Sequence, residues 1–131
     1  MISRPFLLTA LVTMSLALAD CGGAPTPASP PAINPNSSAG RGQILFEANC
    51  AACHALVDGV VLSGPSLAHI AVTAQTRIEG MTAQDYIRES IVNPDAYAIK
   101  GYQVGLMRQD FARSLTSDDV TNLVAFLMTQ K

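Results

Sequence analysis

Apolar positions along the chain form one unbroken block and, further on, three amphipathic ones. The unbroken block is Phe6–Ala19 (FLLTALVTMSLALA), 14 residues without a charge that follow Arg4 near the N-terminus. A membrane-spanning helix needs ~20 apolar residues, so a short apolar run behind a basic start predicts an export signal over residues 1–20 rather than a span. The amphipathic blocks have helical spacing. Ile44, Leu45 and Ala48 recur that way within Gly40–Cys53, with Ser37 and Ser38 as candidate N-caps. Ile87 and Ile91 share one face, with Tyr86 beside them, within Thr82–Asn93. There Thr82-Ala83-Gln84-Asp85 has the form of a capping box, and Pro94 stops the helix because proline disfavours helical geometry in the residue before it. Val120, Leu123, Val124 and Leu127 make the stripe of Thr116–Gln130, which opens with Thr116-Ser117-Asp118-Asp119, a cap with acids at the positive end of the helix dipole. Nothing between these blocks alternates as a strand does, so the pattern predicts an all-α domain. Its loops, Leu56–Pro65 and Asp95–Ser114, are long for so small a fold, and loops of that length carry function or wrap something.

The stretch Gly22–Ser38 holds five of the eight prolines and no charge. It cannot bury a core and reads as a solvated linker, able to reach ~50 Å in polyproline form. Two processing readings compete just before it. Ala17-Leu18-Ala19 suits ordinary signal cleavage. Leu18-Ala19-Asp20-Cys21, followed by two glycines, resembles a bacterial lipobox, in which Cys21 becomes a lipidated first residue, although Asp20 departs from the small residue usual there. Lipidation is the favoured expectation, since Cys21 would otherwise be an unpaired thiol in an oxidising compartment. The expected organisation is a signal peptide over 1–20, a lipidated cysteine and flexible linker over 21–38, and one folded domain over 39–131. The expected location is the periplasm or the outer face of the cell membrane, held by a lipid anchor.

Composition changes this picture in two ways. With 5% aromatics and no tryptophan in 131 residues, side chains alone make a thin core, and a flat macrocycle would help to fill it. Eight Lys and Arg against ten Asp and Glu give a formal net charge of −2, which argues against nucleic acid as a partner.

Chemistry concentrates in Cys50-Ala51-Ala52-Cys53-His54, a C-x-x-C-H of the kind that attaches c-type haem. Two cysteines three apart near a helix end present their sulfurs on one side, where they can add to the two vinyl groups of a haem as thioethers. His54 then follows at the place from which an imidazole reaches the iron. Covalent attachment removes the entropy of haem loss. Three other readings of the same residues are a thioredoxin-type pair, which wants a βαβ context, a zinc site, which wants further Cys or His ligands beyond the isolated His69, and a sterically tight Cys50–Cys53 disulfide.

From about Ser38 to Lys131 the chain resembles a class I cytochrome c. The matching positions are Gly42 and Phe46 on the first helix, Cys50–His54, Gly64-Pro65-Ser66-Leu67, a late methionine in a loop, and Phe126 on the last helix. The resemblance implies a small all-α fold whose N- and C-terminal helices cross, with Gly42 and Phe46 meeting Phe126 over one covalent haem c. It implies that the Pro65 carbonyl accepts a hydrogen bond from His54, fixing the ring and making the coordinating nitrogen more basic. Among His69, Met81, Met107 and Met128 it points to Met107 as the second axial ligand, since class I members place theirs in the loop before the last helix. Arg108 stands where the family often has proline, which bears on the rigidity of that loop. Phe111 and Leu115 are placed to pin its far side, and Tyr102 to hydrogen-bond a haem propionate.

With both axial positions filled by His54 and Met107, no open site remains for substrate. The expectation is therefore an electron-transfer protein, not an enzyme: a single-electron carrier between a quinol-oxidising complex and a terminal acceptor such as an oxidase or a photosynthetic reaction centre, either as a tethered shuttle or as a fixed subunit. The rival readings are a haem enzyme or sensor with a labile Met107, and a haem-free binding module whose cysteines merely pair.

Overall fold

The structure, a computed structural model, describes residues 32–131. The expected signal peptide, Cys21 and the first part of the Pro-rich stretch lie outside the described residues. Five α-helices and no strand occur among the described residues: α1 (Ser38–Asn49), α2 (Ile70–Thr73), α3 (Ala83–Val92), α4 (Phe111–Ser114) and α5 (Ser117–Leu127). The all-α expectation is met, and the three longer helices fall where the hydrophobic spacing puts them.

Their ends have local causes. Ser37 caps α1 by accepting a hydrogen bond from the Gly40 amide at 3.0 Å. The helix closes at Asn49, four residues earlier than its apolar spacing suggests, because the chain tightens there: Cys53 N donates to Cys50 O at 3.0 Å and His54 N to the same oxygen at 2.9 Å. The two cysteines therefore sit on a turn that leaves the helix, not on the helix itself. Thr82 caps α3 through the Asp85 amide, but the Asp85 carboxylate takes the Thr82 hydroxyl rather than the Thr82 amide, so that box is incomplete. At α5 the box is complete, with Asp119 Oδ2 accepting from Thr116 N at 3.0 Å.

Ahead of α1 the chain already belongs to the folded body. Ile33 packs against the core, and a Cβ on Gly40 would collide with the Asn34 carbonyl and lie 2.5 Å from Pro35 Cα. Residues 33–38 of the expected linker thus lie on the domain, held by an apolar contact and by Ser37 N donating to Asn34 O at 3.0 Å. The short helices α2, which continues into a 3₁₀ turn over Ala74–Thr76, and α4 are too brief to show a period in sequence. Burial of Ala74 and Phe111 holds them.

The core centres on the meeting of α1 and α5. Gly42 lies against the backbone of Asn122 and within 2.8 Å, at the position a Cβ would take, of Phe126 Cβ. One turn on, the Phe46 and Phe126 rings meet at 5.4 Å between centroids, tilted by 52°, a geometry worth about 0.5–1.5 kcal/mol beyond the area it buries. Leu123, Val124 and Leu127 complete the buried face of α5, while Tyr86, Ile87 and Ile91 bring α3 onto it. The C-terminus closes against α2, with Ala71 N donating to Gln130 O at 3.0 Å.

Helix propensity alone favours alanine over glycine at position 42 by ~0.5–1 kcal/mol, yet the collision with Asn122 outweighs it. Gly42→Ala is expected to lower stability by about 1–3 kcal/mol in urea unfolding. Ile44→Ala, on the exposed side of the same helix, should stay within about 0.5 kcal/mol of the parent.

Candidate functional site

One apolar cleft, about 220 Å³ in volume and open to solvent, runs beside the crossing helices. An enclosed apolar cavity of ~150 Å³ takes a benzene ring, so this one has room for part of a larger flat group whose edge reaches the surface. Phe46, Ile91, Phe111, Leu123 and Leu127 form its inner wall. Two irregular segments close it: the turn and loop from Cys50 to Leu67, and the loop from Pro94 to Arg108.

The first segment holds a histidine in one orientation. His54 Nδ1 lies 2.9 Å from the Pro65 carbonyl oxygen. A carbonyl only accepts, so Nδ1 carries the proton and Nε2 keeps its lone pair for a metal or another acceptor role. Gly64 sits against the ring: a Cβ there would lie 2.5 Å from Cε1, 2.8 Å from Nδ1 and 3.0 Å from Nε2. Two backbone bonds hold the loop in that place, Gly64 N to Cys53 O and Leu67 N to Ala55 O, each 2.8 Å. The imidazole is thus fixed on one side by a hydrogen bond and on another by steric contact.

Both cysteines line the same cleft as free thiols. Burial pushes the Cys50 thiol up to about 11, Cys53 adding to the shift and Arg108 opposing it. A neutral thioether, which has no proton to lose, suits such a place. Among the described residues no group of three or more His, Cys, Asp or Glu is placed to hold a metal ion.

The second segment brings Tyr102 and Met107 to the cleft. Cys50, Cys53, His54, Pro65, Tyr102 and Met107 therefore converge from positions more than 50 residues apart, whereas Cys21 lies outside the described residues. The other ligand candidates stand elsewhere. His69 is half-exposed, 3.8 Å from Asp58 on the surface. Met81 and Met128 pack against the core without lining the cleft.

Several contacts at the site carry no periodic or motif signal. Tyr97, on the cleft wall, stacks on Tyr86 of α3 at 5.5 Å between centroids. Asp95 Oδ1 accepts from Gly105 N at 2.8 Å, and Gly105 has φ +78°, a value that favours glycine. Arg108 donates to both carboxylate oxygens of Asp110, from Nε at 3.0 Å and Nη2 at 2.8 Å. That bonding holds the Asp110 carboxyl below its ordinary value and raises the guanidinium.

A side chain at position 64 must displace the His54 ring. Gly64→Ala is expected to break the Nδ1–H···O=C bond to Pro65 and to lower stability by about 1–3 kcal/mol in chemical denaturation. Loss of the Nδ1 proton's protection from exchange in nuclear magnetic resonance checks the cause.

The family model for cytochrome c matches residues 39–131, from the first helix to the C-terminus. A search of curated proteins finds no match. The matched span contains every helix described above except the first residue of α1, and all six residues that converge on the cleft. Members of this family bind haem c covalently, and the cleft offers what such a group requires: an apolar wall, two thiols on one turn, and an imidazole with its Nε2 lone pair free. The chain belongs to the cytochrome c family, and its chemistry is haem-based electron transfer.

Proposed function

We propose that the chain is a monohaem, class I cytochrome c that carries single electrons. Cys50 and Cys53 would hold the haem by thioethers, with His54 Nε2 and Met107 Sδ as its axial ligands. The observation that carries this reading is the locked His54 ring, between the Pro65 carbonyl and Gly64, in the one cleft that also receives both cysteines and Met107.

Bound there, the haem supplies a one-electron couple. The chain sets the conditions under which it works. Pro65 accepts the Nδ1 proton of His54, which orients the ring and strengthens the opposite nitrogen as a donor. Met107 supplies a neutral thioether, which favours the reduced state relative to a second histidine. The apolar wall keeps water from the buried face, so little solvent rearranges when the charge changes. Tyr102 lines the cleft, and its hydroxyl would meet a polar edge of the haem.

Residues 1–20 are proposed as an export signal, Cys21 as the lipidated residue, 21–38 as the tether apart from the part that lies on the domain, and 39–131 as the electron-transfer domain. Proline content and the absence of charge over Gly22–Ser38 support the tether. The resulting protein would work on the periplasmic face of the cell membrane. It would pass electrons from a quinol-oxidising complex to a terminal acceptor, as a tethered shuttle or a subunit, and a net charge of −2 supports protein partners over nucleic acid.

Two measurements check this. Protein exported with haem-maturation machinery should keep its haem through acid-acetone extraction, and the oxidised form should show the far-red methionine-to-iron band. Met107→Ala should erase that band, and a band that survives the substitution contradicts the ligand assignment. Separately, Cys21→Ser should move the protein from the membrane to the soluble periplasmic fraction, whereas retention in the membrane contradicts the anchor.

A further inference from the structure

The loop that delivers Met107 runs from Asn93 to Asp110 without a helix or strand. Two glycines in it, Gly101 and Gly105, adopt φ of +95° and +78°, so its backbone path depends on residues with little conformational preference of their own. A neutral thioether is a weak ligand, and a loop free to open would carry it away. Proline after the methionine, which the family that the sequence resembles often has, restrains the chain covalently by fixing φ. Arg108 leaves φ free, so the restraint must come from elsewhere.

Ties converge on the residues next to Met107. Arg108 forks onto Asp110 through Nε and Nη2, at 3.0 and 2.8 Å. Its guanidinium also lies over the Phe111 ring, 4.7 Å from the centroid. Phe111 is only 4% exposed and opens α4, so the flat cation is seated on a ring that the core holds still. Gln109 Nε2 donates to the Met107 carbonyl at 2.9 Å, and Asp95 pins Gly105 two residues upstream. A single exposed ion pair is weak. One that is two-toothed and also stacked on a fixed aromatic is better restrained, because the planar fork is held in one orientation by both partners.

We propose that Arg108 is a positioning residue for Met107: its fork on Asp110 and its seat on Phe111 clasp the chain immediately after the methionine and keep the sulfur at the iron. The clasp replaces with side-chain bonds what proline would supply through its ring. It rests on the reading of Met107 as the axial ligand. Arg108 also lines the cleft, so its charge acts on the site as well, and the two effects separate by substitution. Lysine keeps the charge but has neither the fork nor the flat face.

The test uses haem-loaded, full-length protein and reads two signals: the far-red band of the oxidised form, and the rate at which carbon monoxide binds the reduced form, which is limited by release of the sulfur. Arg108→Ala should weaken the band and raise the rate by about threefold to twentyfold, and Asp110→Asn, which leaves the seat on Phe111, by about twofold to fivefold. Arg108→Lys should behave like Arg108→Ala, and the double variant Arg108→Ala/Asp110→Asn should exceed Arg108→Ala by less than twofold, since both changes open one clasp. Met107→Ala is the reference and should abolish the band. If it does while the Arg108 and Asp110 variants stay within twofold of the parent with intact bands, the clasp is wrong and the ligand assignment stands. Full recovery by Arg108→Lys overturns the clasp in favour of charge alone, and a band that survives Met107→Ala overturns both.

Discussion

Close contact between α1 and α5 is the constraint on which the rest depends. Gly42 has no Cβ, so α1 can lie directly on the Asn122 backbone and against Phe126, and Phe46 then reaches the Phe126 ring one turn later. This fixes the direction in which α1 points as it ends. Its last turn delivers Cys50, and the tight turn that follows carries Cys53 and His54 to the cleft beside Leu123 and Leu127. A wider separation of the two helices would move the cysteine turn away from the apolar wall formed by α5.

The two halves of the site are stabilised differently. On the histidine side, backbone hydrogen bonds from Gly64 and Leu67 to the cysteine turn, and the Pro65 carbonyl on Nδ1, make a short and closely tied unit. On the methionine side the loop is longer and held by side chains: Asp95 on Gly105, Gln109 on the Met107 carbonyl, Arg108 on Asp110 and Phe111. Backbone ties resist substitution of neighbouring side chains. Side-chain ties do not, so the methionine side is where altered residues should change ligand binding without unfolding the domain. Val104 and Leu106 on this loop are exposed and line the cleft, so they place apolar side chains at its mouth.

Much of this was legible in the sequence because the signals are short-range. Thr82 and Thr116 announce helix starts, Pro94 a stop, and the stripe Val120, Leu123, Val124, Leu127 the buried face of α5. Cys50-x-x-Cys53-His54 marks the site because its chemistry demands that spacing, and Pro65 and Met107 followed from resemblance to a family. Where reading failed, the cause is tertiary. The end of α1 at Asn49 reflects a turn closed by Cys50, and α2 and α4 exist through burial of Ala74 and Phe111 rather than through any period. Ile33 leaves the expected linker because it finds a core contact. Asp95 meeting Gly105, and Tyr97 stacking on Tyr86, join residues about ten apart with no pattern between them. Arg108, which departs from the resembled family, reads as a loss of rigidity until Asp110 and Phe111 are seen beneath it.

The function proposed for the cleft requires His54 and Met107 to hold one haem in it. Nuclear magnetic resonance of the reduced, haem-loaded protein with ¹³C-labelled methionine methyl groups addresses it directly, because a methyl on an axial ligand sits in the ring current of the macrocycle. One methyl, assigned to Met107, should be shifted far upfield, with those of Met81 and Met128 near ordinary positions. Ordinary positions for every methionine methyl, or the upfield shift on a methionine other than Met107, would contradict the site described for this chain.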